Sequence, residues 1–230
     1  MKTKILFLSL LVTVGAYAQE KINGIGVLKV GMTVEEMKTE MQKKGFTINT
    51  CSNFATCLGM PFSKNKVVNE VKNYSKISTN ISGKYAPVKT EGITDFFVQN
   101  YEIAGITMPN FLVRFYHDKL AYIEIKNMGS KLKDKLTLKY GEPETEKETK
   151  QIECSYINKK SEKEEIKYTS YFRNDEDVVA VYTTWFHYNK MCQPIDSQSF
   201  IIYNPTAYEV FKDPQQQRNE ETEKDDLDEL

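Results

Sequence analysis

The strongest constraint on the fold is the alternation that runs from Phe111 to Lys126. Phe111, Val113 and Phe115 alternate with Leu112, Arg114 and Tyr116; after His117-Asp118-Lys119, Ala121, Ile123 and Ile125 alternate with Tyr122, Glu124 and Lys126. A period of two puts one set of side chains on a core and the other on the opposite face, as in half-buried strands. The short polar link makes the pair an antiparallel hairpin. Asp95–Ile103 is apolar and aromatic enough for a third strand, turned into the hairpin at Ala104-Gly105. Gly129-Ser130 ends the sheet pattern, and Ser130 stands where a hydroxyl can N-cap a helix. Leu132, Leu136 and Tyr140 recur four apart on one helical face, and Gly141 and Pro143 stop that helix. The reading is strand–strand–strand–helix, with the helix covering an apolar face that a three-stranded meander cannot leave exposed.

Residues 1–18 read as a secretory signal peptide. Lys2 and Lys4 precede an apolar run from Ile5 to Val14, and Ala16-Tyr17-Ala18 has the small-x-small form of a cleavage site. No Cys lies at that site, as a lipoprotein would require, and no later stretch is long and apolar enough to span a bilayer. The expected product is secreted or periplasmic, is cut after Ala18, and has no transmembrane segment in the mature chain. Residues 213–230 are Gln-rich and acidic without apolar period, which predicts a disordered tail. Residues 19–212 are left as one α+β domain, or as two sub-units, 19–143 and 144–212.

Upstream of the meander, Gly31-Met32-Thr33 opens a first helix. Thr33 and Glu36 have capping-box spacing, Val34, Met37 and Met41 share a face, and Gly45 ends it before Phe46. Methionines at that spacing are core residues rather than a soft-metal stripe. Residues 60–93 have no firm period, with Val67–Val71 and Tyr74–Ile81 as strand candidates. Beyond Pro143, Glu144–Lys150 reads as a charged link. Ile152–Ile157, Glu165–Arg173, Val178–Tyr188 and Ser199–Tyr203 read as strands, and Pro205 opens a helical turn through Tyr208 and Phe211. The fold class is therefore α+β: antiparallel sheet or sheets with short helices packed on one face.

Four cysteines in an exported chain imply structural disulfides in one of three possible pairings; the favoured one is Cys51–Cys57 as a local clip with Cys154–Cys192 tying one strand to the end of another. Their spacing is not Cys-x-x-Cys, and neither His117 nor His187 adjoins a cysteine, so no metal site is read. The chain lacks G-x-S-x-G, the phosphate loop and the dinucleotide fingerprint, so no catalytic residue and no cofactor is assigned. Lys+Arg number 31 against 32 Asp+Glu, and loss of Lys2 and Lys4 leaves 29, a near-neutral balance that gives no reason to expect nucleic acid. What stands out is aromatic strand content. Tyr116, Tyr122, Tyr171, Tyr182, Trp185, Phe186 and Tyr188 are candidates for a binding face, because rigid aromatic rings bring large contact area at low entropic cost. The competing reading is that these rings only cover the sheet's second face.

Val30-Gly31-Met32-Thr33-x-x-Glu36-Met37, with Phe115-Tyr116-His117-Asp118-Lys119-Leu120 and Leu136–Pro143, resembles the small outer-membrane assembly lipoproteins of the SmpA/OmlA type. It also resembles the repeats of the beta-lactamase inhibitor protein. The resemblance covers residues 25–143 and implies a non-enzymatic binding fold with a short helix over an antiparallel sheet. The lipid-attachment Cys is absent, and the long region 46–93 exceeds a compact unit. Three functions follow in order: a binding or inhibitor-like module for another exported protein; an envelope component that binds glycan or lipid; and a hydrolase with dispersed carboxylates.

Overall fold

A computed structural model describes residues 21–51, 64–71, 92–156, 159–172 and 177–211. The signal segment, Cys57, Tyr74–Ile81 and the acidic tail lie outside the described residues.

The elements run in chain order as β1 (Gly24–Ile25), β2 (Leu28–Lys29), α1 (Val34–Lys43), β3 (Thr47–Cys51), β4 (Val67–Val71), β5 (Ile93–Ile103), β6 (Ile106–Tyr116) and β7 (Lys119–Lys126). They continue as α2 (Lys131–Tyr140), β8 (Glu144–Tyr156), β9 (Lys159–Tyr171), β10 (Val179–Tyr188), β11 (Pro194–Tyr203) and α3 (Pro205–Phe211). β1 and β2 form a small hairpin, and the other strands form one nine-stranded sheet in the order β3-β4-β5-β6-β7-β11-β10-β9-β8. The second run of strands folds back so that its last member, β11, pairs with β7, and both halves of the chain share the sheet.

The expectation of an antiparallel sheet needs correction. β3 and β4 are parallel, paired from Thr47↔Val67 to Cys51↔Val71, so the sheet is mixed and the molecule mainly β. Glu144–Lys150 is not a link but the first half of β8, paired residue for residue with β9. An edge strand with both faces in water needs no apolar alternation, so its charges concealed it.

Local chemistry explains the turns. Ala104 and Gly105 join β5 to β6, and His117 and Asp118 join β6 to β7, all four at positive φ. That pair of left-handed residues follows the twist of the flanking strands. The Asp118 carboxylate also accepts from the Val34 amide at the start of α1, at 3.3 Å. α1 has the predicted capping box: the Thr33 hydroxyl accepts from the Glu36 amide (3.2 Å), and the Glu36 carboxylate accepts from the Thr33 amide (2.7 Å). Those bonds hold the Glu36 carboxyl below its usual range. Ser130 does not cap α2; it is itself helical and its hydroxyl makes no cap bond. Asn204 caps α3 instead, its Oδ1 accepting from the Ala207 amide at 2.9 Å.

Two cores result, one on each face. The larger gathers Met37 and Met41 of α1 and Leu132, Leu136 and Tyr140 of α2 against Phe96, Val113, Phe115, Ile123, Phe200, Ile202 and Tyr182 of the sheet. The smaller, on the opposite face, contains Phe97, Leu112, Tyr122 and Ala207, with Tyr203 and Tyr208 packed on it.

Candidate functional site

Strand alternation separates the seven aromatic candidates. In β10 the buried Ala180 and Tyr182 set one face, which Phe186 and Tyr188 continue at the same parity. Trp185 falls on the other, where Tyr171 also lies as the cross-strand partner of Val181. Tyr116 and Tyr122 belong to the smaller core.

Tyr182 is 1 % exposed. Its hydroxyl donates to Gln198 Oε1 at 3.0 Å, and the Lys133 ammonium lies 5.9 Å from its ring centre. Burial, aided by Asp196 and Asp134, pushes its phenol up to about 12. Tyr122 is 7 % exposed and stacks on Tyr208 of α3 at 5.8 Å, while Tyr203 meets Tyr208 at 4.5 Å. Burial, with Glu124 next, raises the Tyr122 phenol well above its ordinary value. Across the β6–β7 pair from Tyr122 is Arg114, whose Nε and Nη2 donate to the two Asp95 oxygens at 2.7 and 2.8 Å. Fork geometry and burial lock that carboxylate as a structural partner. Tyr116 is half-buried and lies against the His117 ring at 4.2 Å.

Tyr171, 40 % exposed, lies opposite Val181 near the start of β10, away from Trp185, Phe186 and Tyr188, which share the other end of that strand. Beyond Tyr182 burial falls away: Phe186 is 43 % exposed, Ile195 36 % and Met191 47 %. Phe186 pairs with Ile166 on one face. On the other, Trp185 stacks on His187 at 4.0 Å, and His187 Nε2 shares a 2.8 Å hydrogen bond with the Ser197 hydroxyl. Tyr188 carries the Lys163 ammonium 5.7 Å from its ring centre. Exposed Lys167 and Glu148, paired at 3.3 Å, flank Trp185. Of the seven sequence candidates, Trp185, Phe186 and Tyr188 share this end of β10, on two faces; Ile166, His187, Ile195 and Met191 beside them were not among the candidates. The parity of β10 holds the signal for His187; Met191 sits in a turn and leaves none.

That turn is rigidly built. Asn189 Oδ1 accepts from the Met191 and Gln193 amides at 2.9 and 3.0 Å, and Cys192 takes a left-handed φ of +59°. Cys192 is bonded to Cys154 of β8 across a Cα–Cα distance of 5.7 Å, the pairing expected from sequence. Cys51 is also disulfide-bonded, and its expected partner Cys57 lies outside the described residues. Elsewhere, a shallow depression of about 760 Å³ lies beside the start of α1, lined by Lys29, Thr33, Glu36, Glu40 and Lys119 among others. Among the described residues, no three His, Cys, Asp or Glu side chains converge as metal ligands, and no helix is long and apolar enough to cross a membrane.

No protein-family model, curated protein or solved structure matches this chain.

Proposed function

We propose that the mature chain is an exported, non-enzymatic binding module that engages another exported protein through the end of the sheet formed by β9, β10 and β11. The observation that carries this reading is the partly exposed set Trp185, Phe186, Ile195 and Met191 on strands clipped in place by Cys154–Cys192. Apolar groups at the centre with charges of both signs around them, here Lys163, Glu148 and Lys167, are the usual make-up of a protein-recognition patch. Aliphatic neighbours on both faces favour a protein over a glycan, which would ask for an aromatic platform flanked by hydroxyl-binding groups. The disulfide and the signal-like N-terminus support export. The resemblance to inhibitor-type and assembly-type binding folds supports the absence of catalysis.

The test is crosslinking of residues 19–230, disulfides formed, to the producing cells' envelope and secreted fractions. One protein recovered in stoichiometric yield by the native chain, and lost with Trp185→Ala and Phe186→Ala while both variants keep the native melting temperature, supports the reading. Recovery indifferent to both substitutions moves the surface elsewhere. Retention on envelope glycan alone would replace it with the glycan-binding function.

A further inference from the structure

The outer strand of the sheet points to a partner that does not depend on the reading above. β8 ends the strand order, so among the described residues its outer backbone groups meet no second strand. Residues 144–151 are all exposed. A long open edge is a template for another strand unless its side chains forbid the pairing. Here the charges forbid most registers and favour one. When two β8 strands run antiparallel about a two-fold axis normal to the sheet, opposed residues must point to the same face. The axis therefore passes through a residue rather than between residues.

With Thr149 on the axis, Glu148 opposes Lys150 of the second copy, and Lys150 opposes its Glu148. Lys147 then meets Gln151, Glu146 meets Ile152, and no like charges are opposed. An axis on Glu148 sets that residue against itself, and an axis on Lys150 does the same to Lys150. An axis on Lys147 opposes Lys147 to itself and Glu146 to Glu148; axes on Gln151 or Ile152 bring no opposite charges together. Like charges directly opposed across a ladder are destabilising and unlike charges stabilising, so the strand specifies its own register. We propose that the chain forms a two-fold dimer through β8, centred on Thr149, which joins two nine-stranded sheets edge to edge. An edge contact buries little area, so the dimer is weak and salt-sensitive.

Sedimentation of the mature disulfide-bonded chain at low ionic strength tests this. Native protein is expected to show a concentration-dependent dimer that weakens with added salt. Thr149 faces Ile166 within its own ladder, so a charge at 149 meets no opposed charge inside the chain. Thr149→Lys and Thr149→Glu should each weaken dimerisation by up to about fivefold, and an equimolar mixture of the two should restore it as a heterodimer. Thr149→Cys should form a covalent dimer on mild oxidation, whereas Thr145→Cys, which would face Glu153 of the second copy, should not. A monomer at the highest soluble concentration overturns the proposal. So does a dimer indifferent to either charge at 149, or one in which both cysteine variants crosslink equally.

Discussion

The most consequential single residues are polar ones placed where water is absent. Arg114 is 8 % exposed and Asp95 3 %, and each is the other's bidentate partner. Removing one leaves a buried charge without compensation, whereas removing both leaves an apolar gap. Arg114→Leu alone is expected to cost about 3–5 kcal/mol in urea titrations. The Arg114→Leu/Asp95→Leu double variant should cost less than that single, and a strictly additive double would refute the pairing as the source of the loss. Buried phenols give the molecule an alkaline limit. A tyrosine whose phenol is raised on folding holds its proton more tightly in the native state, so its contribution is complete below the unfolded value and lost as pH rises through the folded one. For Tyr182 that window runs from about 10 to about 12. Chemical stability should fall across it, and Tyr182→Phe, which has no proton to lose, should fall less steeply; parallel curves would show that other groups set the limit. Tyr122, Tyr101 and Tyr203 are raised as well and steepen the same decline.

Among the elements, the distal half of the β8–β9 hairpin has the weakest support. β9 pairs with β10 over Ile166–Tyr171 only, yet with β8 along its whole length. Glu153 and Glu162 oppose each other there, relieved by Lys160 at 2.9 Å from Glu153. The disulfide therefore restrains a ribbon that little else holds. Cys192→Ser should lower stability by about 2–5 kcal/mol. Hydrogen exchange should show the loss beyond Gln151 while β5, β6 and β7 keep their protection; uniform loss would mean the bond acts on the unfolded chain alone. Legibility from sequence followed the same division. Elements with one wet and one dry face were readable, because burial imprints its period: the β5–β7 meander, α1 with Met37 and Met41, α2 with Leu132 and Leu136. The first half of β8, Glu144–Lys150, was hidden because both its faces are wet, and the β3–β4 pairing because nothing local encodes a parallel neighbour. Ser130 misled because an N-cap needs extended backbone as well as a hydroxyl, and this residue is helical. The aromatic candidates were recognisable as a class, but parity alone could not say that cores on both faces would claim Tyr122 and Tyr182.

At the scale of the whole molecule, the joint between β7 and β11 decides how the chain comes together. Tyr122–Lys126 pairs with Ser199–Tyr203, partners more than seventy residues apart in sequence. β8, β9 and β10 are all made between them, and none of them borders β7. A growing chain can complete its first five sheet strands long before the strand that closes their open side exists. During that interval Ile123 and Ile125 sit at a bare edge beside an unfinished core. The final strand to be synthesised is thus the keystone, and the price of this strand order is a period in which that edge stays open to capture by a neighbouring strand.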